Sequence, residues 1–209
     1  SGSFGHTIAF KYQTQLGNIN KNSLKGFCLT SETAVDINRI VLEEFLRVGL
    51  LAVSFSPMSI CFQSKIFLTP ILKSLKLGLI PLLYGDVVFD EDKDFTIYSC
   101  ERILDILAKD LSKNYKSLII IQAGDTNGVY GQDGRTIDKI TPRNFQKVRK
   151  WIGGSSLTDV TGGMIHKVKE ALLLGKKYNL TTLVINGNIK ENLLSAIMGN
   201  DVAGTKIGG

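Results

Sequence analysis

Phosphate chemistry asks for few residue types: glycines that let backbone N–H groups close on an anion, a helix start, a lysine, and a histidine or carboxylate at the rim. Four stretches of this chain supply them. Residues 1–6 read Ser1-Gly2-Ser3-Phe4-Gly5-His6, where Gly2 and Gly5 permit close backbone approach and His6 can hydrogen-bond a phosphate oxygen. The same composition also suits a flexible terminus. Tyr84-Gly85-Asp86 follows an apolar run and reads equally well as a simple turn. Gly124-Asp125-Thr126-Asn127-Gly128 follows another, and Asp125 can serve a ligand, although Asp and Asn-Gly are ordinary turn residues. The fourth stretch, Asp159-Val160-Thr161-Gly162-Gly163 followed by Met164-Ile165-His166-Lys167, opens the most regular helical pattern of the chain. Thr161 can cap that helix, and Gly162 and Gly163 bare N–H groups at its positive end. Lys167 lies about a turn and a half in, near enough to reach back over the same anion, and Asp159 can orient a lysine. Two glycines at a helix start are costly in propensity, so a ligand is one reason for them; a plain capped surface helix is the other reading. His166 faces a different side and reads as solvated.

Several chemistries are excluded. Neither the P-loop spacing nor a GxGxxG turn is present. There is no Gly-x-Ser-x-Gly elbow and no suggestive Cys/His pair, which argues against a hydrolase. Three cysteines, Cys28, Cys61 and Cys100, stand far apart, so a disulfide framework is not expected and a reducing cytoplasm is. Two histidines and no CxxC pair leave no basis for a structural zinc site. The net charge of +6 is uneven, −5 over residues 85–110 and +5 over residues 111–150. The lysines are scattered and not interleaved with aromatics, so small anionic ligands explain the excess at least as well as nucleic acid; a soluble basic face is the bland alternative. No run reaches the roughly 20 apolar residues of a membrane span. Residues 48–62 come nearest but are broken by three serines and Pro57, and read as a buried core segment. The opening Ser1, with a text that reads as mid-chain, leads us to expect residues upstream.

The elements that must position these stretches follow from periodicity. Helical patterns alternate with short β-rich runs, as in a layered α/β fold with a largely parallel sheet. Helices are expected over residues 7–15, 33–48 (Thr33 and Asp36 in capping-box spacing), 67–77, 101–111 (capped by Ser99), 162–178 and 189–198. Strands are expected over 51–55, 79–84, 118–122 (buried on both faces), 181–185 and 204–207. Residues 87–89 and 95–98 flank the acidic loop 90–94 as a β-hairpin.

Taken in order, the stretches Gly2–His6 (GSFGH), residues 25–27 (KGF), 78–90 (GLIPLLYGDVVFD), 128–130 (GVY), 159–164 (DVTGGM) with Lys167, and 204–207 resemble the isopentenyl phosphate kinases of the amino acid kinase superfamily. GSFGH with YGDVVFD is the specific part; the Gly-Gly-Met element with its lysine is shared more widely. The resemblance implies a three-layer αβα sandwich with a hairpin at the acceptor site. It implies a single domain over residues 1–209, N-terminally incomplete, with an acceptor part near 1–115 and a nucleotide part near 116–209. It also implies a homodimer that uses ATP and Mg²⁺ to phosphorylate isopentenyl phosphate, in a mevalonate-type route to isoprenoids. Carried across, His6, Asp159 and Lys167 are catalytic. Gly2, Glu101, Asp125, Gly162, Gly163 and Lys167 meet ATP, and Ser1, His6, Gly85 and Asp86 meet the acceptor; none is assigned to metal. Residues 87–89 or the 55–67 region are candidates for the apolar tail.

Three departures stand out. The family's opening strand, with its lysine and Gly-Gly-Ser turn, is absent from these residues. Ser99-Cys100-Glu101 replaces the usual Ser-Gly-Asp, and Ser1 stands where a glycine is usual. The alternatives are a relative acting on uridylate, carbamate or acylglutamate, for which His6 has less reason, or a catalytically dead ligand-binding domain.

Overall fold

The computed structural model describes residues 2–115, 118–152 and 163–208. The chain divides into two compact units, Ser1–Leu107 and Ala108–Gly209. In the first, helix α1 (Gly2–Tyr12) starts at the glycines themselves, not after them at residue 7. Gln13, in the left-handed region at φ 52°, stops it, and a 3₁₀ turn (Thr14–Leu16) follows.

Helix α2 (Ser23–Arg47) corrects the expected start at Thr33 by ten residues. Thr33 is no cap: its hydroxyl donates to the Leu29 carbonyl at 2.9 Å, inside the helix. The true start is marked by Ser23, whose Oγ accepts from the Ile19 and Asn20 N–H groups. The buried stripe of α2 is Ser23, Gly26, Thr30, Ala34 and Asn38, small or polar residues at helical spacing. An apolar template therefore misses its first half.

The chain continues through β1 (Ala52–Ser54), α3 (Pro57–Ile60), β2 (Cys61–Phe62), β3 (Lys65–Ile66), α4 (Thr69–Lys76) and β4 (Ile80–Leu82). Residues 48–62 are no continuous core segment: Val48 and Leu51 are exposed, and the run is divided among these short elements. β1 and β4 pair in parallel, and β2 and β3 form a tight hairpin. The expected acidic hairpin is present as β5 (Asp86–Asp90) and β6 (Asp94–Tyr98). Then α5 (Cys100–Leu111) begins, capped by Ser99, whose Oγ accepts from the Arg102 N–H at 3.3 Å. The core of this unit gathers Cys61, Ile66, Ile71, Val88, Tyr98, Ile103 and Ile106.

The second unit contains β7 (Ile119–Gly124), β8 (Lys139–Ile140), α6 (Phe145–Ile152), α7 (Gly163–Tyr178), β9 (Thr181–Asn186), α8 (Asn192–Ile197) and β10 (Gly204–Ile207). Its sheet has the order β7-β9-β10-β8: β7 runs parallel to β9, β9 antiparallel to β10, and β10 parallel to β8. β7 is not buried on both faces. It stands at one end of the sheet, and Ile119 is 59% exposed. α7 buries Val168, Ala171 and Leu174 on its sheet-facing stripe. Helix α6, which the sequence reading does not include, is strongly basic and prefaced by Asn144, whose Oδ1 accepts from the Thr141 N–H at 2.7 Å. Among the described residues no helix is long and apolar enough to cross a membrane.

Candidate active site

A cleft of about 270 Å³ lies within the first unit. Helix α1 contributes Gly5, His6 and Ala9, α2 contributes Thr30 and Ala34, and the hairpin contributes Asp86, Ile97 and Tyr98. Gly85 leads into it, and Ser99, Cys100 and Glu101 close it at the start of α5. The positive end of a twelve-residue helix thus borders the cleft, as an anion site requires. Ala9, Ala34, Ile97 and Tyr98 add an apolar lining.

Each lining residue has a local reason for its place. A Cβ on Gly85 would sit 3.2 Å from the Tyr98 carbonyl oxygen and 3.3 Å from the Cys100 nitrogen, so glycine lets the strand entrance pack tightly against α5. Tyr98 is fully buried, its hydroxyl accepts from the Ser64 N–H at 2.7 Å, and the Arg102 guanidinium lies 3.8 Å from its ring centre. Asp86 is 2% exposed. Its Oδ1 accepts from the Val87 N–H at 2.7 Å, and its Oδ2 from the Ser31 hydroxyl at 3.3 Å. Burial raises its pKa from 3.8 to about 6 against the lowering effect of those two donors.

Four of the expected site residues therefore meet in one place: His6, Gly85, Asp86 and Glu101. Gly2 begins the helix that carries His6. The tail residues differ from expectation. Val87 and Val88 are fully buried, Val88 in the core, and Phe89 packs on Phe27 at 5.4 Å, so none of the 87–89 run lines this cleft. Residues 55–67 do not line it either. The lining residues Ala9, Thr30, Ala34 and Ile97, and the Ser31 bond to Asp86, carry no motif signal. Thr30, Ser31 and Ala34 become legible once α2 is known to start at Ser23.

In the second unit, Asp125 follows the C-terminal end of β7, where open parallel sheets receive ligands. A Cβ on Gly124 would meet open space. The Asp125 carbonyl accepts from the Asn186 amide at 3.4 Å, and the same amide reaches Asn127 Oδ1 at 2.9 Å. These exposed groups make a polar rim. Gly128, at φ 120°, takes a conformation suited to glycine, and a Cβ there would collide with Thr205 and Thr136. Gly163 begins α7 and Lys167 is exposed one turn on; His166 is exposed as expected. Ser1, Asp159 and Gly162 lie outside the described residues.

The amino acid kinase family model matches residues 1–186. An isopentenyl phosphate kinase of Methanocaldococcus jannaschii is 34% identical over 99% of this chain and 77% of its own length. The isopentenyl phosphate kinase of Methanothermobacter thermautotrophicus is 30% identical over 100% of this chain and 82% of its own. A solved isopentenyl phosphate kinase structure superposes with a TM-score of 0.71 at 28% identity, covering 99% of this chain and 80% of that one.

Proposed function

Since this chain belongs to the amino acid kinase family, and within it to the isopentenyl phosphate kinases, we propose that it transfers the γ-phosphoryl group of ATP to isopentenyl phosphate and releases isopentenyl diphosphate and ADP. The observation that carries this reading is the cleft of the first unit. It joins a histidine and a helix start, suited to a phosphate head, with a small apolar lining suited to a short hydrocarbon tail.

The chemistry asks little proton transfer of the protein. The second pKa of a phosphate monoester is near ~6, so the attacking oxygen is already anionic at neutral pH and no general base is required. Alignment of two anions and cancellation of their charge are what remain. His6 and the α5 start hold the acceptor phosphate, with Ser1, Gly85 and Asp86 bordering it. Gly2, Glu101, Asp125, Asp159, Gly162, Gly163 and Lys167 serve the nucleotide, Lys167 meeting the group in transfer.

The open space at Gly124 and the polar rim of Asp125, Asn127 and Asn186 fit a nucleotide. Mg²⁺ binds chiefly through phosphate oxygens and needs no all-protein cage. When bound, MgATP supplies the phosphoryl group and the cation that offsets its charge.

The same reading makes residues 1–209 one domain, its first part for the acceptor and its second for the nucleotide. It makes the protein cytoplasmic, and its product an isoprenoid precursor made through a mevalonate-type route. It also makes the protein a homodimer, for which the exposed Phe10, Leu24 and Ile40 on α1 and α2 offer apolar surface.

Steady-state kinetics of two variants test the site. His6→Ala should raise the KM for isopentenyl phosphate tenfold or more with little change in the KM for ATP. Lys167→Ala should lower kcat by orders of magnitude in a folded protein. An unchanged acceptor KM in the first, or an unchanged kcat in the second, removes that residue from its role.

A further inference from the structure

The acceptor cleft holds a carboxyl where its ligand is an anion. Asp86 is 2% exposed, its two oxygens have only a backbone N–H and a serine hydroxyl as hydrogen-bond donors, and no lysine or arginine lines the cleft among the described residues. A carboxylate held out of water and a phosphate dianion beside it repel each other strongly, and the least costly remedy is one proton. We infer that the acceptor binds together with a proton taken from solvent, and that Asp86 holds it. The inference rests on the phosphate-acceptor reading of this cleft. The bound pair is then a carboxylic acid beside a dianion, with an O–H available to a phosphate oxygen in place of a like charge.

Burial already raises the Asp86 pKa to about 6 in the free protein, and a bound dianion pushes it further the same way. At neutral pH the free protein is therefore largely ionised at Asp86 and takes up a proton on binding. The groups that face it are His6 from α1, Tyr98 from β6, Cys100 and Glu101 from α5, and Tyr84 just before β5, whose phenol is pushed up by burial and by the Asp86 charge. From α2 come Ser31 and Thr30, which carry no charge, and α3 and β2, packed on β5, offer only the Cys61 thiol, which burial pushes up to about 11. His6 lines the same cleft, so the assignment is read from Asp86 variants and not from the native profile alone.

Calorimetric titration with isopentenyl phosphate in two buffers of different ionisation enthalpy, between pH 5 and 8, reads the proton directly. The native protein should take up close to one proton per acceptor at pH 7–8, and its Kd should rise up to about tenfold per pH unit above pH 6. Inorganic sulfate, whose charge is constant over this range, should show the same slope more weakly. In Asp86→Asn the uptake should fall by about one proton and the slope flatten. Ser31→Ala, outside the cleft lining, removes a donor to the carboxylate and should move the pH at which affinity falls upward. Acceptor binding with no proton uptake, or uptake undiminished in Asp86→Asn, overturns the inference and leaves the functional reading standing. If Asp86→Asn does not fold, an unmoved profile in Ser31→Ala overturns it. Failure of the native protein to bind isopentenyl phosphate at any pH overturns both.

Discussion

At the residue scale, the three cysteines report on the cleft independently of turnover. Cys61 is buried with its thiol pushed up to about 11, whereas Cys28 and Cys100 are exposed, and Cys100 lines the acceptor cleft. A thiol reagent should therefore modify two of the three in the folded protein. Isopentenyl phosphate should slow modification of Cys100 and leave Cys28 alone; equal protection of both would place the acceptor elsewhere. Asp86 gives a second prediction. Its pKa is higher in the folded state, about 6 against 3.8, so the folded protein holds a proton that the unfolded chain releases. That contribution to stability is fully present below the unfolded value and is lost as pH rises to about 6. Asp86→Asn should thus gain up to ~2–3 kcal/mol relative to the native protein on going from pH 4 to pH 7, as read by urea unfolding at both. A constant difference would mean that the carboxyl is not held as described. His6, Gly85, Asp86 and Glu101 were legible in advance because glycines and ionisable groups mark themselves in a motif. Ser31, Ala9 and Ala34 were not, since small residues signal nothing until their neighbours in space are known.

At the element scale, α1 and α2 cross where Gly26 faces Tyr12, and a Cβ on Gly26 would collide with Tyr12 Cβ. The same helices carry His6, Thr30 and Ala34, so their approach sets the width of the cleft. Gly26→Ala should destabilise the protein by about 1–3 kcal/mol and raise the acceptor KM more than the ATP KM. A neutral effect on both would show that the helices can part without cost to the site. Further along, Gly17 at φ 86° lies where a Cβ would collide with Lys93, while the Asn18 amide donates to Asp94 at 2.8 Å. The hairpin tip is thereby tied to the segment that follows α1. The hairpin itself was readable because two β-rich runs flank an acidic turn. The early start of α2 was not, because its first buried turns are Ser23, Gly26 and Thr30 and an apolar template skips them. α6 is missing from the sequence reading for a different reason: Phe145, Val148, Trp151 and Ile152 do stand at helical spacing, but the run is only eight residues long and follows a turn-like stretch.

At the scale of the whole molecule, the α/β class followed from alternating helix and strand patterns, and the relatives' fold agrees with it. Strand pairing was harder to foresee. β10 reverses direction against β9, and only tertiary contacts decide such a choice. Part of the nucleotide reading, Asp159 and Gly162, depends on a stretch outside the described residues, so function must be tested on the molecule entire. If the exposed Phe10 and Ile40 belong to a dimer face, sedimentation should give twice the 22.9 kDa chain mass, and Ile40→Glu should halve it. A native mass of one chain would refute that face.

The central claim, that the acceptor is isopentenyl phosphate, is tested most directly by ADP release from MgATP with that compound, set against uridylate, carbamate and acetylglutamate at equal concentration. The account predicts turnover with isopentenyl phosphate far above the other three. Faster turnover with any of them, or none at all from a folded protein that binds ATP, would contradict it.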